Sequence, residues 1–118
     1  MNQTTTIFAA LADPIRLRSL ALISAHGELC VCELVAALDL PQPKMSRHLA
    51  TMRDAGLLRD RRDAQWVLYA LRPDLPQWME EVVRAAVSAI AREATCMADA
   101  KRLARMRRPA RIRCSRAA

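Results

Sequence analysis

Two short helical patterns separated by a hard breaker, all within residues 29–49, constrain this chain more than any other stretch. Leu29-Cys30-Val31-Cys32-Glu33-Leu34 opens an aliphatic run that stops at Asp39-Leu40-Pro41-Gln42-Pro43. A second run follows at once, with Gln42, Lys44, Ser46, Arg47 and His48 crowded into its first two turns. Prolines at 41 and 43 break the first helix but suit the opening turn of the next, whose amides have no intrahelical partner. A short polar-rich helix presented by a packed partner is the layout of a helix–turn–helix, whose second helix enters the major groove of DNA. The distinctive feature is the start of the partner helix, where a single residue separates two thiols.

Similar punctuation divides the rest. Residues 3–11 read as a short helix with Ile7, Phe8 and Leu11 on one face. Asp13-Pro14 places a capping carboxylate before a proline at the first helical position. Ile15, Leu17, Leu20, Leu22 and Ile23 carry that helix to Gly27, a suitable stop. Residues 29–38 form a third helix burying Leu29, Leu34, Ala37 and Leu38. A fourth, 42–55, buries Met45, Leu49 and Met52. Residues 57–62 and 65–71 read as two strands joined by a tight turn near Asp63-Ala64, the second alternating Trp66, Leu68 and Ala70 with Val67, Tyr69 and Leu71. A basic hairpin directly after a helix–turn–helix is a wing. After a linker at 72–76, one long helix runs from Gln77 to at least Ala100. Its stripe of Trp78, Val82, Val83, Ala86, Val87 and Ile90 exceeds what one small core can cover, so pairing with its own copy and with the first helix is expected. The fold class is mainly α with a small β-hairpin, a winged helix–turn–helix over residues 1–95 that dimerises through its first and last helices. Residues 96–118 form a basic tail, expected to be flexible.

Charge must be read locally. Of the net +7, residues 101–118 carry eight Lys or Arg and no acid, while the body is slightly acidic. The high isoelectric point therefore reports the tail. Within the body, residues 44–62 hold Lys44, Arg47, Arg53, Arg59, Arg61 and Arg62 against Asp54 and Asp60. That local excess is what phosphate contact requires. With two glycines in the chain, a glycine-rich phosphate loop is excluded. No apolar run approaches the ~18–20 residues of a membrane span, and the N-terminus lacks a basic-then-apolar signal, so a cytoplasmic protein is expected. In that reducing compartment Cys30, Cys32, Cys96 and Cys114 are thiols available for metal or redox chemistry, not a disulfide framework.

The order of elements resembles the ArsR/SmtB family of metal-responsive repressors. Four stretches are similar to arsenical-resistance operon repressors in particular: Ala12-Asp13-Pro14-Ile15-Arg16-Leu17-Arg18, Glu28-Leu29-Cys30-Val31-Cys32-Glu33-Leu34, Gln42-Pro43-Lys44-Met45-Ser46-Arg47-His48-Leu49 and Gly56-Leu57-Leu58. Three departures stand out. Val35 occupies the third position of the family's C-x-C-x-x-C pattern. With only His26 and His48, the last helix lacks ligands for a zinc site. Ala64 replaces the wing's usual glycine.

The resemblance implies a homodimer that binds double-stranded operator DNA and is released by As(III) or Sb(III). Soft thiolates select such ions. Cys30 and Cys32 are the candidate metalloid ligands, with Cys96 or Cys114 as a third. If the pair acts alone, a methylated As(III) compound needing two sulfurs is favoured. Residues two apart on a regular helix point about 200° from each other, so a shared ion requires the first turn to unwind or to be frayed already. Candidate DNA contacts are Gln42, Lys44, Ser46, Arg47 and His48 on the reading helix, with Arg61, Arg62 and Gln65 on the wing. Two other readings compete: a thiol-redox or reactive-sulfur sensor on the same scaffold, and a thiol enzyme. The enzyme reading is the weaker, because no placed acid–base partner accompanies the thiols.

Overall fold

The computed structural model describes residues 2–107. Five segments of the sequence reading form as expected, within a residue or two. Helix α1 spans Gln3–Leu11 and α2 spans Pro14–His26. Asp13 caps α2, its Oδ1 accepting from the Ile15 and Arg16 amides at 2.8 and 3.1 Å, and Gly27 ends it at φ +85°. Helix α4 spans Gln42–Asp54 behind Pro41. The wing strands are β2, Leu58–Asp63, and β3, Trp66–Leu71. Phe8 departs from its expected place, standing 51% exposed while Ile7 and Leu11 are buried.

The segment at 28–38 differs in a way that matters. Glu28–Cys30 is not helical but a third strand, β1, and α3 covers only Val31–Leu38. The strand order is β1-β3-β2, all antiparallel, with Glu28 opposite Ala70, Leu29 opposite Tyr69 and Cys30 opposite Leu68. Leu29 is fully buried in the main core together with Leu20, Ile23, Leu34, Leu49 and Leu57. The edge of β3 recruits this segment, and tertiary pairing overrides the helical pattern.

The long last helix is also divided. Helix α5 runs Gln77–Ile90 and α6 runs Ala94–Met106. Residues 96–106, read above as the start of a basic tail, lie within α6. No glycine or proline marks the break, so local propensity does not cause it. Docking does: Asp99 is fully buried and Leu103 lies in the core. The Asp99 carboxylate accepts from Arg18 Nη2 and Nε at 2.8 and 2.9 Å and from Arg102 Nη2 at 2.8 Å. Arg102 Nε also donates to the Ala37 carbonyl at 2.6 Å, and Arg18 Nη2 reaches the Leu38 carbonyl at 3.4 Å. A helix continuing straight from α5 would leave these groups in solvent. Cys114 and the remainder of the basic tail fall outside the described residues.

Ala64 resolves the wing turn by adopting φ +58°, a left-handed conformation costing an L side chain roughly 1 kcal/mol. Ala64→Gly is expected to raise the unfolding free energy by about 0.5–1 kcal/mol, read by denaturant titration. Asp99→Ala strands two guanidiniums and should cost about 3 kcal/mol, lowering Tm by roughly 10 °C or more.

Candidate functional site

The strand-to-helix junction determines where the two thiols sit. Cys30 is the last residue of β1 and the N-cap of α3, with extended backbone at φ −85°, ψ 160°. Cys32 lies one residue inside the helix. The 200° divergence expected of a continuous helix therefore does not arise, and the two sulfurs lie 2.9 Å apart. Of the two ways the pair might converge, the geometry is the second: the chain has already left the helix at Cys30, and no unwinding is needed.

A buried carboxylate holds the junction. Glu33 is fully buried; its Oε1 accepts from the Cys30 amide at 2.9 Å and its Oε2 from Arg107 Nε at 2.9 Å. This is the capping-box relation, N-cap to N3, with cysteine where serine or threonine is usual. Arg107 Nη1 is also 3.0 Å from His26 Nδ1. A guanidinium can only donate, so Nδ1 accepts and neutral His26 carries its proton on Nε2. The last turn of α6 thus closes over the start of α3.

The sheet register adds the other wall. Directly paired residues share a face and faces alternate along each strand. Leu29 and Tyr69 face the main core. Cys30, Leu68 and Arg61 form one row on the opposite face, and Glu28, Ala70 and Arg59 the next. Cys30 and Leu68 are a separate buried cluster, with Cys32 and Trp66 packed against it. On the same face Arg61 grips Glu28 in a bidentate pair, Nε and Nη2 each at 2.8 Å. That pair is largely solvent-exposed and worth about 0–1 kcal/mol.

Cys96 stands apart from the thiol pair. Helix α6 runs antiparallel to α3, with Arg107 at Glu33 and Arg102 at Ala37, which puts Cys96 beyond the C-terminal end of α3. It is buried beside Asp99 and Arg18, and burial, with Asp99 and Glu93 adding to it, pushes its thiol upward against the pull of Arg18. Among the described residues no three His, Cys, Asp or Glu side chains converge as a metal-binding group.

On the other surface, Gln42, Lys44 and Arg47 are exposed on α4 and Ser46 is half-buried. At the wing, Arg62 and Gln65 are exposed beside the Ala64 turn. His48 is half-buried and partnered within the chain: its Nδ1 accepts from Arg16 Nη1 at 2.9 Å and lies 3.9 Å from Asp13 Oδ1. Arg16 continues to the carbonyls of Ala10 and Ala9 at 2.6 and 3.4 Å. His48 therefore ties the polar helix to the α1–α2 corner. Glu28, Glu33, Trp66 and Arg107 were not picked out from sequence as site residues. Glu33 had a legible signal, the three-residue spacing from Cys30, once cysteine is admitted as an N-cap.

A helix pair followed by a wing, with an exposed polar helix, is the architecture of a winged helix–turn–helix. The model of the "Bacterial regulatory protein, arsR family" matches residues 13–60. The arsenic resistance transcriptional regulator ArsR1 of Pseudomonas putida is 51% identical over 85% of this chain and 77% of its own. The arsenical resistance operon repressor of Escherichia coli is 44% identical over 82% of this chain and 92% of its own. Among solved structures, HlyU from Vibrio cholerae superposes with TM-score 0.61 at 32% identity, covering 76% of this chain and 89% of that one. The AntR antimony-specific repressor gives TM-score 0.62 at 25% identity, covering 75% and 78%. The chain belongs to the ArsR family and is a transcriptional repressor of that family. Among the described residues no helix is long and apolar enough to cross a membrane.

Both histidines titrate below their ordinary value of 6.5. For His48 burial dominates; Asp13 opposes it, and the charges of Arg16, Arg47 and Lys44 add to it. For His26 burial is again first, then Arg107, with Glu33 opposing. Because the folded values are depressed, the unfolded chain binds protons first as pH falls. Stability is complete above about pH 6.5 and declines below it. Tm should therefore be lower at pH 5.5 than at pH 7.5, and the difference should shrink in the His26→Asn/His48→Asn variant, whose amide oxygens can still accept from the two arginines.

Proposed function

We propose that this chain is a homodimeric, cytoplasmic repressor that binds double-stranded operator DNA and leaves it when As(III) or Sb(III) bonds to Cys30 and Cys32. The observation that carries the reading is the 2.9 Å approach of the two sulfurs at the N-cap of α3, within one supersecondary unit with the DNA-reading helix. Chemically, each As–O bond replaced by an As–S bond releases one water, the thiol proton leaving with the hydroxide. Two sulfurs accommodate a methylated As(III) compound directly. A fully sulfur-bound As(III) takes a third thiol, from Cys96 or Cys114. Cys96 lies at the far end of α3, so it would come from the second protomer.

Gln42, Lys44, Ser46 and Arg47 are the contacts to base edges and phosphates, with Arg61, Arg62 and Gln65 of the wing on the backbone or minor groove. His48 supports the reading helix from behind. Dimerisation uses α1 and α5, where the exposed Phe8 and the half-buried Trp78, Val82 and Ala86 leave an apolar surface uncovered.

One specific observation favours a second reading: sulfurs this close are also positioned to oxidise to a disulfide, which would make the pair a redox or reactive-sulfur switch.

The experiment uses DNA selected by the protein from a random pool, followed by fluorescence anisotropy with arsenite, antimonite, methylarsenite, zinc or peroxide. Trivalent metalloids are expected to weaken binding about 5–150-fold, a coupling of roughly 1–3 kcal/mol. Cys30→Ser and Cys32→Ser should each remove at least nine-tenths of that response. Full arsenite release in both variants would overturn the assignment, and release by peroxide alone would establish the redox switch. Serine variants of Cys96 and Cys114 identify any third ligand.

A further inference from the structure

The thiol pair belongs to the wing as much as to the helices. Strand β1 is three residues long, and its middle residue, Leu29, is buried in the main core. Glu28 and Cys30 flank that anchor on the opposite face, so a shift at one end of the strand is transmitted to the other about Leu29. Cys30 is paired across β3 with Leu68, and Leu68 in turn with Arg61. Glu28 holds the Arg61 guanidinium through both carboxylate oxygens.

We propose that Glu28 is the positioning residue for Arg61 of the wing, and that occupancy of the Cys30–Cys32 pair reaches this ion pair through the strand they share. The wing then carries the first response to a bound ligand, and Arg61 is the DNA contact that it moves. This rests on the proposed release of DNA by a thiol-bound metalloid.

The geometry supplies the push. A thiolate bond to an ion of zinc's size is about 2.3 Å, and two such bonds at roughly 90° hold their sulfurs about 3.3 Å apart. A bound ion therefore fixes the spacing of the neighbouring Cys30 and Cys32 sulfurs. Glu33, itself held by Arg107, fastens the Cys30 amide at the junction, and Cys32 follows within the first turn of α3. Cys30 stands at the end of a short strand against Leu68, with Trp66 beside them. Cys30 is fully buried and paired in the sheet, so a displacement imposed at its sulfur passes along β1, and Glu28 is on that strand.

The test uses the full chain, its selected DNA, and two probes: arsenite, and phenylarsine oxide, which bridges neighbouring thiols whatever the natural inducer. Ligand uptake is followed by thiolate-to-arsenic absorbance, DNA affinity by anisotropy, and the wing by Trp66 emission in a Trp78→Phe background. Glu28→Gln and Arg61→Gln are expected to take up either probe with affinity within twofold of wild type. Each should reduce the probe-induced loss of DNA affinity at least threefold, and the double variant should match the singles. Trp66 emission should change on uptake in every variant that retains the cysteines. Wild-type ratios in both single variants, or multiplicative effects in the double variant, would overturn the proposal. If phenylarsine oxide releases DNA through Glu28 and Arg61 while arsenite does not, the wing linkage stands and the metalloid assignment falls.

Discussion

Everything distinctive in this molecule depends on the change from strand to helix between Cys30 and Val31. Three forces hold that junction. Leu29 is fully buried, and burying a leucine side chain contributes roughly 1.5–3 kcal/mol. Cys30 pairs in register with Leu68. The Glu33 carboxylate satisfies the Cys30 amide, which would otherwise be an orphan donor in a buried setting. Without the junction, Cys30 and Cys32 would lie on opposite sides of a helix and share nothing. With it they touch, and both also touch the wing.

The junction in turn requires α6. A carboxylate as buried as Glu33 is costly unless fully partnered, and its second oxygen is satisfied by Arg107 from the last turn of that helix. Asp99 repeats the device at the other end of α3, where it collects Arg18 and Arg102 while their guanidiniums cap the carbonyls of Leu38 and Ala37. Buried ion pairs add little net stability over apolar packing, but removing one partner is severe. Helix α6 is therefore fixed in register on α3: sliding it by one turn would leave both carboxylates uncompensated.

How much was legible follows from which forces act locally. Asp13-Pro14, Gly27, Pro41 and Gly56 are local signals, and the helices they bound appear within a residue or two. Ala64 showed that a turn was present but not how a non-glycine residue would make it. The two larger departures are non-local. Strand β1 exists because β3, some forty residues later, offers an edge; within 28–38 the apolar spacing alone reads as helix. The break at 91–93 exists because Asp99, Arg102 and Leu103 find partners on α2 and α3, and no residue at the break announces it. At the site, the two thiols were legible but their convergence was not, because a cysteine N-cap is unusual. His48 shows the same limit: nothing in the polar helix announced that Arg16, thirty-two residues earlier, would hold its Nδ1.

Magnitudes bear on which element can move when the thiol pair is filled. A coupling of roughly 1–3 kcal/mol is typical between two binding sites, and the moving part must cost no more than that to displace. The reading helix is anchored by Met45, Leu49 and Met52, all fully buried, and disturbing even one such side chain costs about as much as the whole coupling. It is tied again through His48 to the α1–α2 corner. Shifting it alone is expensive; it moves with the core or not at all. The outer face of the wing is different. Beside the β1–β3 ladder, it is tied to β1 by an exposed ion pair between Glu28 and Arg61 and a small cluster of Cys30, Cys32, Leu68 and Trp66, the ion pair worth at most about 1 kcal/mol. Bond formation at the sulfurs acts directly on that cluster. A coupling of ordinary size is enough to open the Glu28–Arg61 ion pair, and it is not enough to repack the core behind α4.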